Sequence, residues 1–358
     1  MRIIEVENLE KYVLGGAVLG GGGGGSIKEG LKIGRLALNI APITLLNADE
    51  IEDEDVVVTV SAVGVQSKGK IFPWQHIRTV KLLQDYGIKI DGLISSECGA
   101  SANVNGWIQS AVLNIPVIDC PCDGRAHPTG IMGSMGLHRL KNYISIQAAV
   151  GRDGNHFPEI IVKGKLESTS RMVRIFSSEM GGIIAVARNP VKGKYVRRNG
   201  APGALSLSEK IGEAMLKEED PKEKVEKALN ILKGKIICEG EVIGKRLYRK
   251  GGFDLGFLKI KDSGKNKYTV YFINEYIALY RWEEELALFP DLINIFNAEN
   301  GQPLNSSEVK IEDKVIVTST GKENLKLGSG LKDLKAYESI CEILEEEFNL
   351  KVKFHIQK

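Results

Sequence analysis

The chain is predicted to fold as two domains: an α/β domain built on a parallel sheet with crossover helices, then a mainly β domain. Three observations predict this. A length of 358 residues suits two domains of ~100–200 residues each. Between residues 56 and 140 an apolar strand, a polar loop and a helical stretch recur three times, as parallel sheets require. Past about residue 165 a charged helical stretch gives way to short strands separated by turn residues, the pattern of a small antiparallel barrel or sandwich. The expected division is residues 1–165 and 166–358, with a helical insertion at about 206–232.

Each element follows in order. Leu9, Tyr12, Val13 and Leu19 fall at helical spacing. Six glycines, 20–25, come next, and Ser26 then caps a second amphipathic helix, IKEGLKIGRLAL. VVVTVSAV, 56–63, is a β-branched buried strand stopped by Gly64. Residues 74–86 form a helix that turns Ile77, Val80, Leu82 and Leu83 inward. Strand 88–94 opens into a polar loop, 95–105, and a short helix follows at 106–113. Strand 115–119 runs into CPCDGRAHPTG, and 132–140 reads as helix. Loops 61–68, 95–105 and 119–130 all lie at carboxyl ends of strands, where open α/β sheets bind ligands. In the second half, the run KEEDPKEKVEK marks a solvated helical face. Strands then follow in GKIICEGEVIG, FDLGFLKIK, KYTVYFINEYIALYRW and DKVIVTST. The tail KAYESICEILEEEFNLKVKFHI reads as one helix and one strand.

Composition narrows the function classes. Lys and Arg number 48 against 46 Asp and Glu, so no basic field exists to hold nucleic acid. Aromatic residues at 6% are too sparse for a base-stacking surface. The expected partner is a small-molecule substrate, and the expected working form a homo-oligomer. MRIIEVENLEKY lacks the basic-then-apolar order of a secretory signal, and no run approaches the ~18 apolar residues of a membrane span. Five irregularly spaced cysteines argue against a disulfide framework and for a reducing cytoplasm.

Candidate chemistry clusters at the strand ends. The glycine run satisfies a dinucleotide fingerprint only trivially, since a helix rather than a strand precedes it. It reads as a packed or flexible loop, or as a nest whose N–H groups at Gly22, Gly23, Gly24, Gly25 and Ser26 hold an anion or carbonyl of the substrate. In DCPCDGRAHP, a thiolate at Cys120 or Cys122 beside Arg125 and His127 would be nucleophilic. The same segment offers Asp119, Cys120, Cys122 and His127 as ligands to one zinc or similar divalent ion. The bland reading is a buried cysteine and a turn at 123–124. Glu97 follows an apolar strand, and burial there would raise its pKa and suit it as a general base, with Asp119 as the other candidate. Asn103 caps a helix or binds substrate. Asn274 and Glu275 interrupt an apolar strand, so they pair across the barrel or face the ligand.

Several segments together resemble one family, the S-methyl thiohydantoin desulfurase domain proteins, often described as hydantoin-utilisation proteins. They are LGGAVLGGGGGG, SAVG, ECGASANVN and NIPVIDCPCDGRAHP, then GGIIAVARNP, GGFDLGF, FINEYIAL and FPDLINIFNAENGQP, spanning about residues 10–320 in family order. The resemblance implies an α/β domain followed by a mainly β domain. It also implies a hydrolase that removes sulfur from a thiohydantoin or hydantoin-like cyclic (thio)amide. The alternative is a non-catalytic ligand-binding or accessory subunit working with hydantoinase- or oxoprolinase-type enzymes. The chain departs from the family pattern at Ser26, Pro121 and Thr129.

Overall fold

The computed structural model describes residues 1–64 and 70–355. Two sheets account for most of it, and the candidate site lies between them.

The first sheet collects β1 (Arg2–Ile4), β2 (Ile43–Asn47), β3 (Val56–Gly64), β4 (Gly92–Ser95), β5 (Val117–Asp119), β6 (Ser145–Val150), β7 (Glu159–Gly164) and β8 (Ile183–Lys192). Their order is β1-β2-β5-β4-β3-β8-β6-β7. The β2-β5-β4-β3 stretch is parallel, and β8, β6 and β7 extend it antiparallel. Its helices are α1 (Leu9–Gly20), α2 (Ile27–Ile40), α3 (Pro73–Asp85), α4 (Trp107–Leu113) and α5 (Leu166–Glu179). Local chemistry starts them as the sequence suggests. Ser26 Oγ accepts the Glu29 N–H at the head of α2, and Pro73 opens α3 at a position needing no donor. Strand β8 lies beyond residue 165, so the chain re-enters the first sheet after the expected division.

Helices α6 (Gly193–Asn199), α7 (Ala204–Leu216) and α8 (Pro221–Leu232) follow. Glycines let α7 cross α1 at backbone contact: a Cβ on Gly15 would lie 1.8 Å from Ser208 O, and one on Gly212 1.9 Å from Lys11 O. The apolar cluster beneath joins Tyr12, Val13, Trp107, Ile211 and Met215.

The second sheet is antiparallel, in the order β13-β12-β11-β10-β9-β15-β14. Its strands are β9 (Lys235–Lys250), β10 (Phe253–Asp262), β11 (Lys267–Ile273), β12 (Glu275–Arg281), β13 (Glu284–Leu288), β14 (Leu292–Asn297) and β15 (Lys314–Thr320). Alternation along β15 and its neighbours buries Val242, Val270, Phe272, Ile295 and Val317 in one core. Helix α9 (Glu338–Phe348) packs Ile340 and Leu344 beside Phe289 and Tyr337.

The architecture is therefore an α/β domain with parallel strands followed by a domain that is mainly antiparallel β. Several local expectations need correction. Residues 61–64 continue β3 paired to β8 rather than forming a loop, and the rest of the expected loop, 65–68, lies outside the described residues. The stretch 132–140 is two 3₁₀ turns, because Met135 and Gly136 take positive φ and break the helical run. Residues 351–355 form no strand. No helix among the described residues is long and apolar enough to cross a membrane.

Candidate active site

A cleft of about 510 Å³ opens where β3 and β4 end and the second sheet begins. Its lining includes the glycine turn 22–25, Ser96, Glu97, His127, Arg174, Arg188, Asp254, Asn274 and Glu275.

The glycine turn is pinned by its carbonyls. Gly21 O accepts the Tyr276 N–H at 2.8 Å, Gly22 O the Ser306 N–H at 3.0 Å, and Gly24 O the Ser101 and Ala102 N–H groups at 3.1 Å. Asn305 Nδ2 donates to Gly25 O at 3.0 Å. Both domains thus hold the turn. Its N–H groups at Gly24 and Gly25 find no acceptor among the described residues. Gly23 is fixed by sterics: a Cβ there would lie 2.1 Å from Glu275 Oε1.

Glu97 stands just past β4. Ser95 Oγ donates within this turn, 2.8 Å from the Glu97 and Ala102 carbonyls. The Glu97 side chain keeps 17% exposure. Burial pushes its carboxyl up to about 7, against the opposing pull of the His127 N–H, Arg188 and Arg125. Glu275 opens β12 after Asn274, whose φ of 58° turns the chain into the strand. Glu275 is buried, and its Oε2 has no hydrogen-bond partner among the described residues. Burial first, then repulsion from Glu97, raises its carboxyl well above the ordinary range. Asn274 Oδ1 accepts the Asp254 N–H at 2.9 Å.

His127 bridges the two loops. Its N–H donates to Glu97 Oε2 at 3.3 Å, and its Nε2 lies 3.3 Å from Ser96 O and 3.5 Å from Glu97 Oε2. A carbonyl only accepts, so Nε2 carries the hydrogen and Nδ1 is bare. That Nδ1 is buried without a donor among the described residues. Burial holds the imidazole neutral, with its pKa down at about 4.

The other residues singled out in the sequence lie elsewhere. Asp119 turns away from the cleft and caps α7, accepting the Leu205 N–H at 2.8 Å, the Ser206 N–H at 3.2 Å and the Ser206 hydroxyl. Cys120 Sγ donates to Val196 O at 3.5 Å, and burial pushes its thiol far up. Cys122 pairs with Thr59 Oγ at 3.2 Å, and burial holds its thiol at about 11. Neither cysteine lines the cleft, and neither sits where its thiolate would form near neutral pH. Arg125 is a strut behind the glycine turn. Its Nη1 donates to Pro290 O at 2.8 Å and Asp291 O at 2.7 Å, and it stacks on Phe289 at 4.2 Å. Asn103 Nδ2 donates to Tyr12 O at 2.7 Å, away from the cleft, and Ser26 serves α2.

The four side chains of the expected zinc set are not gathered at one place among the described residues. Asp119 faces a helix end, the two thiols face Val196 O and Thr59, and His127 Nε2 faces Ser96 O. Among the described residues no group of three His, Cys, Asp or Glu side chains gathers to hold a metal ion. Sequence reasoning missed Arg174, Arg188 and Asp254 as cleft residues. The available signal was a charge ending an apolar run, in IIAVAR and GGFD.

Fold and site together define a two-domain protein whose cleft joins a parallel-sheet edge to an antiparallel sheet, with two carboxyl groups facing one pocket. The chain belongs to the S-Me-THD-like family: the N-terminal domain of that family matches residues 7–157 and the C-terminal domain residues 165–331. A crystal structure of a protein from Chromobacterium violaceum shares the fold, with a TM-score of 0.73 at 18% identity over 99% of both chains. No curated protein matches the chain.

Proposed function

We propose that the protein is a hydrolytic desulfurase acting on an S-methylated thiohydantoin-type ring. The observation that carries this reading is the carboxyl pair Glu97 and Glu275 in one cleft, the first pushed up to about 7 and the second raised well above the ordinary carboxyl range by burial. Glu97, as carboxylate, takes a proton from water as the C–O bond forms at ring C2. The N–H groups of Gly24 and Gly25 point to a place for the charge that develops on the ring. Glu275 gives its proton to sulfur as the C2–S bond breaks. Methanethiol leaves and C2 becomes a carbonyl. The two water protons end on the ring nitrogen and the departing sulfur, and the carboxyl pair returns to its starting protonation. The backbone N–H of His127 holds Glu97 in place.

The test is direct. The protein is mixed with an S-methyl thiohydantoin, and the ultraviolet band of the ring is followed together with trapped free thiol. The band should decay with one thiol released per ring, and Glu97→Gln should slow both by about 10²–10⁴. Unchanged absorbance across a series of ring substituents would overturn the reading and leave a ligand-binding or accessory protein.

A further inference from the structure

We propose that Arg188 is the recognition site for a carboxylate carried by the ligand, so that the substrate is an anionic small molecule held at one end by Arg188 and attacked at the other beside Glu97 and Glu275. This rests on the cleft reading above and narrows it to a substrate class.

Arg188 is more than nine-tenths buried, at 6% exposure, yet no hydrogen bond or ion pair engages its side chain among the described residues. Its Nε is fully buried without an acceptor. Its Nη1 reaches the cleft wall, 3.6 Å from where a Cβ on Gly130 would stand. A buried guanidinium without a bonded acceptor is costly, and native chains seldom keep one; Glu97 opposes its charge through space across the cleft, but no acceptor bonds to it among the described residues. Arg125 shows how this protein treats a buried arginine with no ligand role. It donates to three backbone carbonyls, Ala126, Pro290 and Asp291, and stacks on an aromatic ring, with its Nη2 alone left without a partner among the described residues. Among the described residues Arg188 has none of this, and its Nη1 reaches the cleft, where a ligand supplies the missing acceptor.

The backbone is shaped to present it. β3 and β8 slip register between Val57 and Thr59, opposite residues 189–190. Asn189 there takes φ 55°, and its side chain accepts the Ser145 hydroxyl at 2.7 Å. A bulge of this kind re-aims the neighbouring side chain. Arg174 adds a second positive charge to the same lining, steadied by Gly252 O and stacked on Phe253 at 4.7 Å. The cleft is therefore bipolar, with arginines from β8 and α5 and carboxyls from the β4 loop and β12. A planar carboxylate matches the guanidinium fork better than a neutral amide does.

The experiment compares a thiohydantoin whose side chain ends in a carboxylate with the carboxamide of the same shape. The full-length protein should prefer the acid by about 100-fold in kcat/KM, mainly through KM. Arg188→Gln should reduce that preference to a few-fold, and Arg188→Lys should keep an intermediate part of it. Calorimetric binding of the acid is measured alongside, without turnover. Acid binding that needs Arg188, with neither probe converted, would keep this site and overturn the desulfurase reading. Turnover of both probes with equal kcat/KM would keep that reading and overturn this site. Neither binding nor turnover overturns both. The melting temperature of ligand-free Arg188→Met gives an independent check. Removing an unpaired buried charge should raise it by about 2–4 °C. A fall of that size would show a structural partner and end the proposal.

Discussion

Glu97 and Asp119 end neighbouring parallel strands, β4 and β5, and each carries a carboxylate just where an α/β sheet presents its ligand site. Their surroundings send them in opposite directions. Glu97 meets one backbone N–H at 3.3 Å, and burial pushes its carboxyl up to about 7. Asp119 meets the head of α7, where two N–H groups and a hydroxyl donate to its carboxylate as a cap. The difference teaches that a carboxylate becomes a candidate base where the fold withholds donors, and a structural anchor where the fold supplies them.

The largest expected effect tests that contrast at Glu97. Glu97→Gln should lower kcat by about 10²–10⁴ with the melting temperature nearly unchanged, read from the decay of the ring absorbance and a thermal melt. Wild-type kcat with this variant would break the comparison. Next comes Gly23→Ala. The new methyl would collide with Glu275 Oε1, displacing that carboxyl and reducing kcat/KM by roughly tenfold or more. A crystal structure of the variant with Glu275 unmoved would contradict it.

The pH profile sharpens the same comparison. Glu97 must be ionised to take a proton, so kcat/KM should rise with pH and level off above about 7, falling roughly tenfold per unit well below it. Glu275 must keep its proton, and the upward direction of its pKa moves the decline that its ionisation causes to higher pH than an ordinary carboxyl would give. The acid limb should vanish in Glu97→Gln.

Asp119→Asn should do the reverse of Glu97→Gln. It removes the charge that caps α7 and should cost about 1–2 kcal/mol of stability by denaturant titration, with kcat/KM within about twofold of wild type. Loss of turnover without loss of stability would return Asp119 to the list of bases. Smallest of all, Cys120→Ala should cost about 1 kcal/mol and leave turnover intact, because the thiol faces Val196 O rather than the cleft. Abolished turnover in a folded Cys120→Ala protein would revive the thiolate.

Much of the fold was legible because its signals are local. Ser26 caps α2, the β-branched run makes β3, and apolar alternation makes the second sheet. β8 was missed as a strand of the first sheet, because it follows a helix and pairs with β3, more than a hundred residues earlier in the chain. The 3₁₀ turns at 132–139 were missed because two left-handed residues, Met135 and Gly136, interrupt an otherwise helical pattern. At the site, Glu97 was legible as a charge directly behind an apolar strand. The fate of Asp119 was not, since the helix it caps starts at Ala204 and shows no cap residue of its own: Gly203 stands there instead.

The sequence by itself determined the two-domain order of the chain, its glycine turn between two helices, and which strand ends carry reactive groups. These follow from periodicity, capping and turn chemistry, which act over a few residues. Only the tertiary structure decided which of those groups share a cleft. Desolvation, the approach of Glu275 to Gly23, and the absence of a partner for Arg188 among the described residues depend on segments far apart in the chain. A carboxylate's pKa and a guanidinium's need for a ligand are set by what surrounds them in space.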